Sequence, residues 1–206
     1  MSQCPLCHSE GVPVDARYLD CTVCRARFLS PSLYLSAEAE KAEYELHDND
    51  ILDPRYQAFV QPVADSVIAR HAPHESGLDY GSGPSSVIAH VLRPHGFRMQ
   101  AYDPFFRRDA SLLDRTYEFI TCSETVEHFH SPRAEFERLH RMLRPGGSLH
   151  ISTLLYHDSI PFANWHYRRD PTHVFLYREE TFSWIAKHVG FAHLQIQGRV
   201  ITLRKC

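Results

Sequence analysis

Apolar positions along residues 54–206 switch repeatedly between two spacings, and each switch marks a new element. Tyr56, Phe59, Val60, Val63 and Val67 recur at intervals of three and four, which puts them on one face of a helix. Asp53 before Pro54 is a helix start, while Pro62 within the run predicts a kink or an interruption. "GLDY" reads as a short buried strand, "PSSVIAHVLRPH" as a helix, and "FRMQAYD" and "YEFITCSE" as two more strands. "SPRAEFERLHRMLRPGG" is a helix with Phe136, Leu139 and Leu143 on one face, stopped by its glycines. "SLHISTLL" is a strand, and "REETFSWIAKHVGF" a helix facing inward through Phe182, Ile185 and Val189. "AHLQIQ" and "RVITLRK" are separated by almost nothing around Gly198, so they predict an antiparallel hairpin. The pattern predicts an α/β fold: a Rossmann-like, mainly parallel sheet covered on both faces, with a C-terminal antiparallel hairpin.

The first fifty residues follow a different pattern. Residues 36–50, "SAEAEKAEYELHDND", hold six acids and one lysine. Ser36 is placed to cap a solvated linker helix covering residues 38–43. The expected organisation is therefore a small module over residues 1–35, a helical linker or lid over 36–53, and the α/β domain over 54–206.

Composition narrows the classes. With 43% hydrophobic and 23% charged residues, the chain reads as an ordinary globular protein. No stretch approaches the roughly 18 apolar residues of a membrane span, and "MSQCPLCHSEG" lacks a signal peptide's basic start and apolar core. A cytoplasmic protein without membrane contact is expected. The net charge of −3 gives no global reason to expect nucleic acid. In residues 1–30, Arg17, Arg25 and Arg27 are offset by Glu10, Asp15 and Asp20.

Four of the six cysteines crowd the first 24 residues. In a cytosolic chain, disulfides explain them poorly. Cys4 and Cys7, then Cys21 and Cys24, form two C-x2-C knuckles, and two facing knuckles complete a tetrahedron of thiolates around zinc. The pattern resembles a zinc ribbon or rubredoxin-type knuckle pair. Four thiolates leave no open position, so the expected zinc is structural, and so short a module needs it for folding energy.

In such sheets ligands bind at the carboxyl ends of the strands. Asp79, Gly81 and Gly83 end the first strand, where glycine lets backbone approach a ligand closely. The run G-S-G-P-S-S is neither a dinucleotide fingerprint nor a phosphate loop. Asp103 ends the next strand, where an acid can accept hydrogen bonds from both ribose hydroxyls; a simple Asp-Pro turn is the alternative.

"LDYGSGPSS", "YDP", "YEFITCSETVEHFHSP" and "LHRMLRPGGSLHIST" occur in the order and spacing of class I S-adenosylmethionine-dependent methyltransferases, and residues 55–206 resemble that family. The cysteine knuckles resemble those of a subset that includes sugar C-methyltransferases and some ribosomal-RNA methyltransferases. "WHYRRDPTHVFLY" resembles the substrate-side loop of small-molecule members. The resemblance implies S-adenosylmethionine as cofactor. Gly81 and Gly83 would lie beneath it, Asp79 would orient the loop or meet the amino group, and Asp103 would bind the ribose. Ser123 and Glu124 would line the same pocket, and Tyr44 and His47 would fold over it. About thirteen residues separate Asp103 from the strand starting near Tyr117, so the third strand is expected to be reduced or missing, with Asp109 a candidate for the adenine-contacting acid. His128, His166, Asp170 and His173 are the polar groups expected at the acceptor mouth. At least one of His128 and His173 is expected to act as base, with His166 a further candidate. A small-molecule acceptor, sugar-derived ones included, is the first expectation. An RNA methyltransferase that recognises its substrate through the zinc module is one alternative, and a non-catalytic partner-binding protein of the same fold is another.

Overall fold

The computed structural model describes residues 2–46 and 50–206. The N-terminal segment forms β1 (Gly11–Pro13), β2 (Tyr18–Cys21) and β3 (Arg27–Leu29), followed by helix α1 (Ala37–Tyr44). Next come α2 (Pro54–Ile68), β4 (Ser76–Tyr80), α3 (Val87–Leu92), β5 (Arg98–Tyr102), β6 (Tyr117–Ser123) and α4 (Pro132–Met142). β7 (Leu143–Ser152), β8 (Phe175–Leu176), α5 (Glu179–Ile185), β9 (Phe191–Gln197) and β10 (Val200–Lys205) complete the chain.

The main sheet has the order β5-β4-β6-β7-β10-β9. β4 pairs in parallel with β5 and β6, and β6 with β7. β10 is antiparallel to β7 and to β9, with Gly198 at φ +59° turning the hairpin. This is the class I methyltransferase fold. Between β5 and β6 the described residues hold a short 3-10 turn, Ala110–Asp114, in place of a third strand. Asp109 caps that turn through Ser111. It does not line the central cavity, because its carboxylate is spent on its own turn.

One apolar layer packs α2 and α3 on the sheet through Val60, Val63, Val67, Ile88, Leu92 and Phe119. The opposite layer holds Phe136, Leu139, Phe182 and Ile185, and it runs without a break into Leu6, Tyr18 and Phe28 of the cysteine segment. The continuity has a backbone cause. β3 pairs with β8 from the long loop after β7, making the four-stranded sheet β1-β2-β3-β8. β8 is only two residues long, too short to announce itself by periodicity.

Two local expectations are corrected. α2 is not interrupted at Pro62, which lies inside the helix. Proline leaves the carbonyl four residues back without its amide partner, but Ala58 and Pro62 both face solvent, and the buried valine face holds the helix together. α1 begins as expected, with Ser36 Oγ accepting from the Ala39 amide at 3.3 Å. Yet it is not simply solvated. Glu40 is buried and accepts from the Tyr44 hydroxyl at 2.6 Å, with His130 Nε2 at 3.5 Å.

A buried polar chain crosses from α2 to β7. Glu75 meets His71 Nδ1 at 2.6 Å, His71 Nε2 meets Ser148 Oγ at 2.7 Å, and Ser148 meets His150 Nε2 at 2.8 Å. His150 Nδ1 continues it to Ser66 at 2.7 Å. Burial, then the charges of His71 and Arg70, hold His150 well below the ordinary histidine range. Burial also lowers His71, against the pull of Glu75. Unfolded histidine takes its proton near pH 6.5, whereas folded His150 refuses it, so its contribution is complete above that pH and lost as pH falls through the window below. The free-energy difference between wild type and His150→Leu is expected to shrink by about 1.4 kcal/mol from pH 7.5 to 5.5. Urea denaturation of both proteins at the two pH values measures it. Asp79 and Glu127, whose raised pKa values act in the opposite sense, are common to both proteins and drop out. A pH-independent difference would contradict the assignment.

Candidate active site

The carboxyl ends of β4, β5 and β6 open into a cavity of about 600 Å³, a size that suits a cofactor-sized ligand. Gly81 and Gly83 line it, with φ of +79° and +63°. The Gly81 and Ser82 amides donate to the Tyr102 carbonyl at 2.9 and 3.1 Å, tying the loop to the end of β5. Asp103 lies on the same wall. Its Oδ2 accepts from the Gly83 amide at 2.9 Å, and its Oδ1 from the Phe105 and Phe106 amides at 2.8 and 3.0 Å. The acid thus closes its own turn and fixes the glycine loop while lining the cavity.

Asp79 sits behind the loop, not on the cavity wall. Its oxygens accept from the Ser86 hydroxyl at 2.6 Å and the Thr121 hydroxyl at 2.9 Å. Ser86 also caps α3, so Asp79 joins the strand to the helix start. Burial pushes its carboxyl up to about 6. Ser123 and Glu124 do line the cavity. Ser123 Oγ is buried and has no hydrogen-bond partner among the described residues. Glu124 adopts φ +47°, rare for a side chain with a Cβ, and is gripped by Arg199 at 2.6 Å. Strain of this kind collects at functional positions.

At the mouth, Tyr44 stands between Phe105 and His128, with ring centroids 5.4 and 5.2 Å away. His128 and His173 face one another at 4.8 Å, and Asp170 completes this end of the wall. Asp170 accepts from both the amide and hydroxyl of Thr172, which secures the loop. His166 is not part of the wall: it is exposed on its 3-10 turn, while the neighbouring Trp165 and Tyr167 turn inward. His47 lies outside the described residues.

Several groups at or beside the site are not among the candidates named from the sequence. Tyr80 donates to Glu135 at 2.5 Å and Arg138 holds Glu135 at 2.9 Å, so α4 supplies a charged part of the wall. Glu127 lies next to His128 but is wholly buried; burial and the nearby Glu124 push its carboxyl up to about 8. The "ETVEHFH" segment carried the available hint, since acids at strand ends often face ligands.

In the N-terminal segment, the sulfurs of Cys4, Cys7, Cys21 and Cys24 lie within 4.8 Å of one another. Cys4 and Cys24 are 3.5 Å apart and Cys7 and Cys21 3.2 Å, far beyond a disulfide bond. The two knuckles repeat each other: the Cys4 amide donates to Ser9 and the Cys21 amide to Ala26, both at 2.8 Å. The residue after each second cysteine, His8 or Arg25, turns through positive φ.

The family model described as "Methyltransferase domain" matches residues 51–196. A ubiquinone biosynthesis O-methyltransferase from Aeromonas salmonicida is 30% identical over 87 residues, or 42% of this chain; the match spans 37% of that relative's length. The 1,6-didemethyltoxoflavin-N1-methyltransferase of Burkholderia thailandensis, solved with 1,6-didemethyltoxoflavin and S-adenosylhomocysteine, aligns with 96% of this chain and 99% of that one, at TM-score 0.56 and 18% identity. A SAM-dependent methyltransferase from Archaeoglobus fulgidus gives TM-score 0.58 at 15% identity, covering 72% of this chain and 94% of that one. At such identities the structural likeness concerns the fold. Because the family model covers most of the chain, from the start of α2 to the end of β9, this protein belongs to the methyltransferase domain family.

Proposed function

We propose that the protein transfers a methyl group from S-adenosylmethionine to a small-molecule acceptor. The observation that carries this reading is the single cavity shared by the glycine loop, Asp103 and the histidine mouth. Its wall is acidic, with Glu40, Asp103, Glu124, Glu135 and Asp170 against Arg138. That charge suits a sulfonium ligand and repels a phosphate backbone, which favours a small acceptor over RNA. The relative named for ubiquinone biosynthesis supports the same acceptor class.

The cofactor supplies a methyl group bonded to a positively charged sulfur. The chain's own residues then have three tasks. Gly81 and Gly83 offer backbone at close range, Asp103 takes the ribose hydroxyls, and Ser123 and Glu124 border the reacting end. Tyr44 closes over the site between Phe105 and His128, keeping water out. At the mouth, the His128, His173 and Asp170 group orients the acceptor and activates it for attack. In the N-terminal segment we read Cys4, Cys7, Cys21 and Cys24 as ligands of a structural zinc, since four sulfurs at this spacing fit its tetrahedron.

Asp103→Ala removes a charged acceptor from the ribose and is expected to weaken S-adenosylmethionine binding about 10- to 150-fold, the equivalent of roughly 1.5–3 kcal/mol. Calorimetry on folded variant checks this, and unchanged affinity would remove Asp103 from the site. The acceptor class is tested by incubating the protein with methyl-labelled cofactor and cell extract. Label in the small-molecule fraction is expected, and label confined to RNA would overturn the reading.

A further inference from the structure

A second cleft, of about 520 Å³, opens at the other end of β5 from the cofactor cavity. The sheet ends at β5, and among the described residues the turn Ala110–Asp114 takes the place of a further strand, so nothing continues the sheet there. Residues 97–100 and 115–117 line the cleft, with the buried side chains of Phe97, Met99 and Tyr117 as its floor. Arg98 opens β5 and Asp103 follows its last residue, so an extended chain of five residues, about 16 Å, separates the two sites.

Three arginines, Arg93, Arg98 and Arg115, stand on its wall, and no acid does. Arg93 Nη2 donates to the Met99 carbonyl at 3.2 Å, which fixes that guanidinium beside the floor and leaves its other N–H groups to spare. Arg98 and Arg115 make no hydrogen bond or ion pair among the described residues. The neighbouring acids are already engaged. Glu118 accepts from the Ser76 amide at 2.9 Å and is paired with Arg144. Asp109 feels the charge of Arg115, but its carboxylate accepts from the Ser111 amide and hydroxyl at 3.1 and 2.7 Å. Three guanidiniums gathered without a counter-charge repel one another, and an anion that bridges them reverses the sign of that interaction. No histidine, cysteine or carboxylate lines the cleft, so its residues can bind a ligand but have no group for proton or covalent chemistry.

We propose that Arg93, Arg98 and Arg115 bind a small phosphate-bearing molecule in the cleft at the open edge of β5. Phosphate suits this wall better than carboxylate. Its oxygens are arranged as a tetrahedron and can be met by guanidinium forks from three sides, whereas a planar carboxylate offers one edge. The apolar floor takes the body of the molecule. A small ligand is favoured over a nucleic acid because the three arginines share one cleft instead of forming a track along a backbone. The site is separate from the cofactor cavity, whose acidic wall repels the same anion, and it does not rest on the methyl-transfer reading.

Calorimetric titration of the full chain with pyrophosphate, in near-physiological salt, tests the proposal. Saturable binding of one pyrophosphate per chain is expected. The double variant Arg98→Gln with Arg115→Gln is expected to weaken it at least about 10-fold. A second double variant, Arg141→Gln with Arg204→Gln, removes the same charge from exposed positions that do not line the cleft, and it is expected to bind as wild type does. All four arginines are exposed, so both variants are expected to melt at the wild-type temperature. No saturable binding to wild type, or equal weakening in the two double variants, would overturn the site. Citrate bound as tightly as pyrophosphate would overturn the phosphate class. A short single-stranded RNA that binds more tightly than pyrophosphate and depends on Arg98 and Arg115 would overturn the small-molecule class in favour of nucleic acid.

Discussion

Chelating the metal proposed at Cys4, Cys7, Cys21 and Cys24, or replacing Cys21 by Ser, is expected to unfold the N-terminal sheet and loosen the acceptor side of the cavity. The effect is large because structural zinc supplies on the order of 10 kcal/mol to a small module. It spreads because the module is not packed separately. β3 donates its edge to β8, Arg27 stacks on Tyr156 at 4.5 Å and on Phe162 at 4.2 Å, and Arg168 bridges to Asp15 at 2.9 Å. All three partners, Tyr156, Phe162 and Arg168, belong to the loop that carries Asp170 and His173. Four thiolates released from an ion would repel one another in a buried setting, so the knuckles cannot keep their geometry. Hydrogen exchange reads the result by position. Amides in Tyr18–Cys21, Arg27–Leu29 and Phe175–Leu176 are expected to lose protection, while those in Ser76–Tyr80 keep it. Unaltered protection at Phe175 and Leu176 after complete metal removal would contradict the coupling.

Gly81→Ala is expected to cost about 2–5 kcal/mol of stability and to abolish cofactor binding. Gly81 has φ +79°, where a residue with a Cβ is strained by about 1–2 kcal/mol. The added Cβ would lie 2.1 Å from Thr125 Cγ2 and 2.6 Å from its Oγ1. Thr125 cannot easily withdraw, because its hydroxyl bonds the Gly81 and Ser123 carbonyls at 3.3 and 3.0 Å. Overpacking of this sort costs about 1–3 kcal/mol. The two parts separate experimentally. Thr125→Ser removes Cγ2 but leaves Oγ1 and Cβ at 2.6 and 2.9 Å from the added Cβ, so Gly81→Ala combined with Thr125→Ser should regain only the Cγ2 share of the packing part and retain the backbone part. Urea denaturation of the single and double variants measures both, and a Gly81→Ala protein as stable as wild type would refute the argument.

The sheet was legible because its strands and helices carry their own periodicity and end in glycine, proline or acid. The cysteine pairs were legible because a knuckle is local: both sulfurs come from one turn. Asp103 could be placed because position at a strand end in such a sheet implies a direction, and Ser123 and Glu124 because the family resemblance implies them. Features made by distant partners were not legible. Glu127 becomes an orphaned buried acid only when Tyr167 and the loop fold over it, 40 residues away in sequence. Glu40 joins the cavity because Tyr44 and His130 draw it inward, although the acidic run around it reads as solvated. Pro62 was misleading for the same reason: whether proline breaks a helix depends on which face its freed carbonyl meets.

The cavity between β4, β5 and β6 is proposed to hold S-adenosylmethionine. Calorimetric titration of the purified protein with S-adenosylhomocysteine tests it most directly, because binding then needs no knowledge of the acceptor. Saturable binding at one ligand per chain is expected, weakened by Asp103→Ala and lost in Gly81→Ala. Absence of binding to a folded, metal-replete protein, or binding indifferent to Asp103, would contradict it.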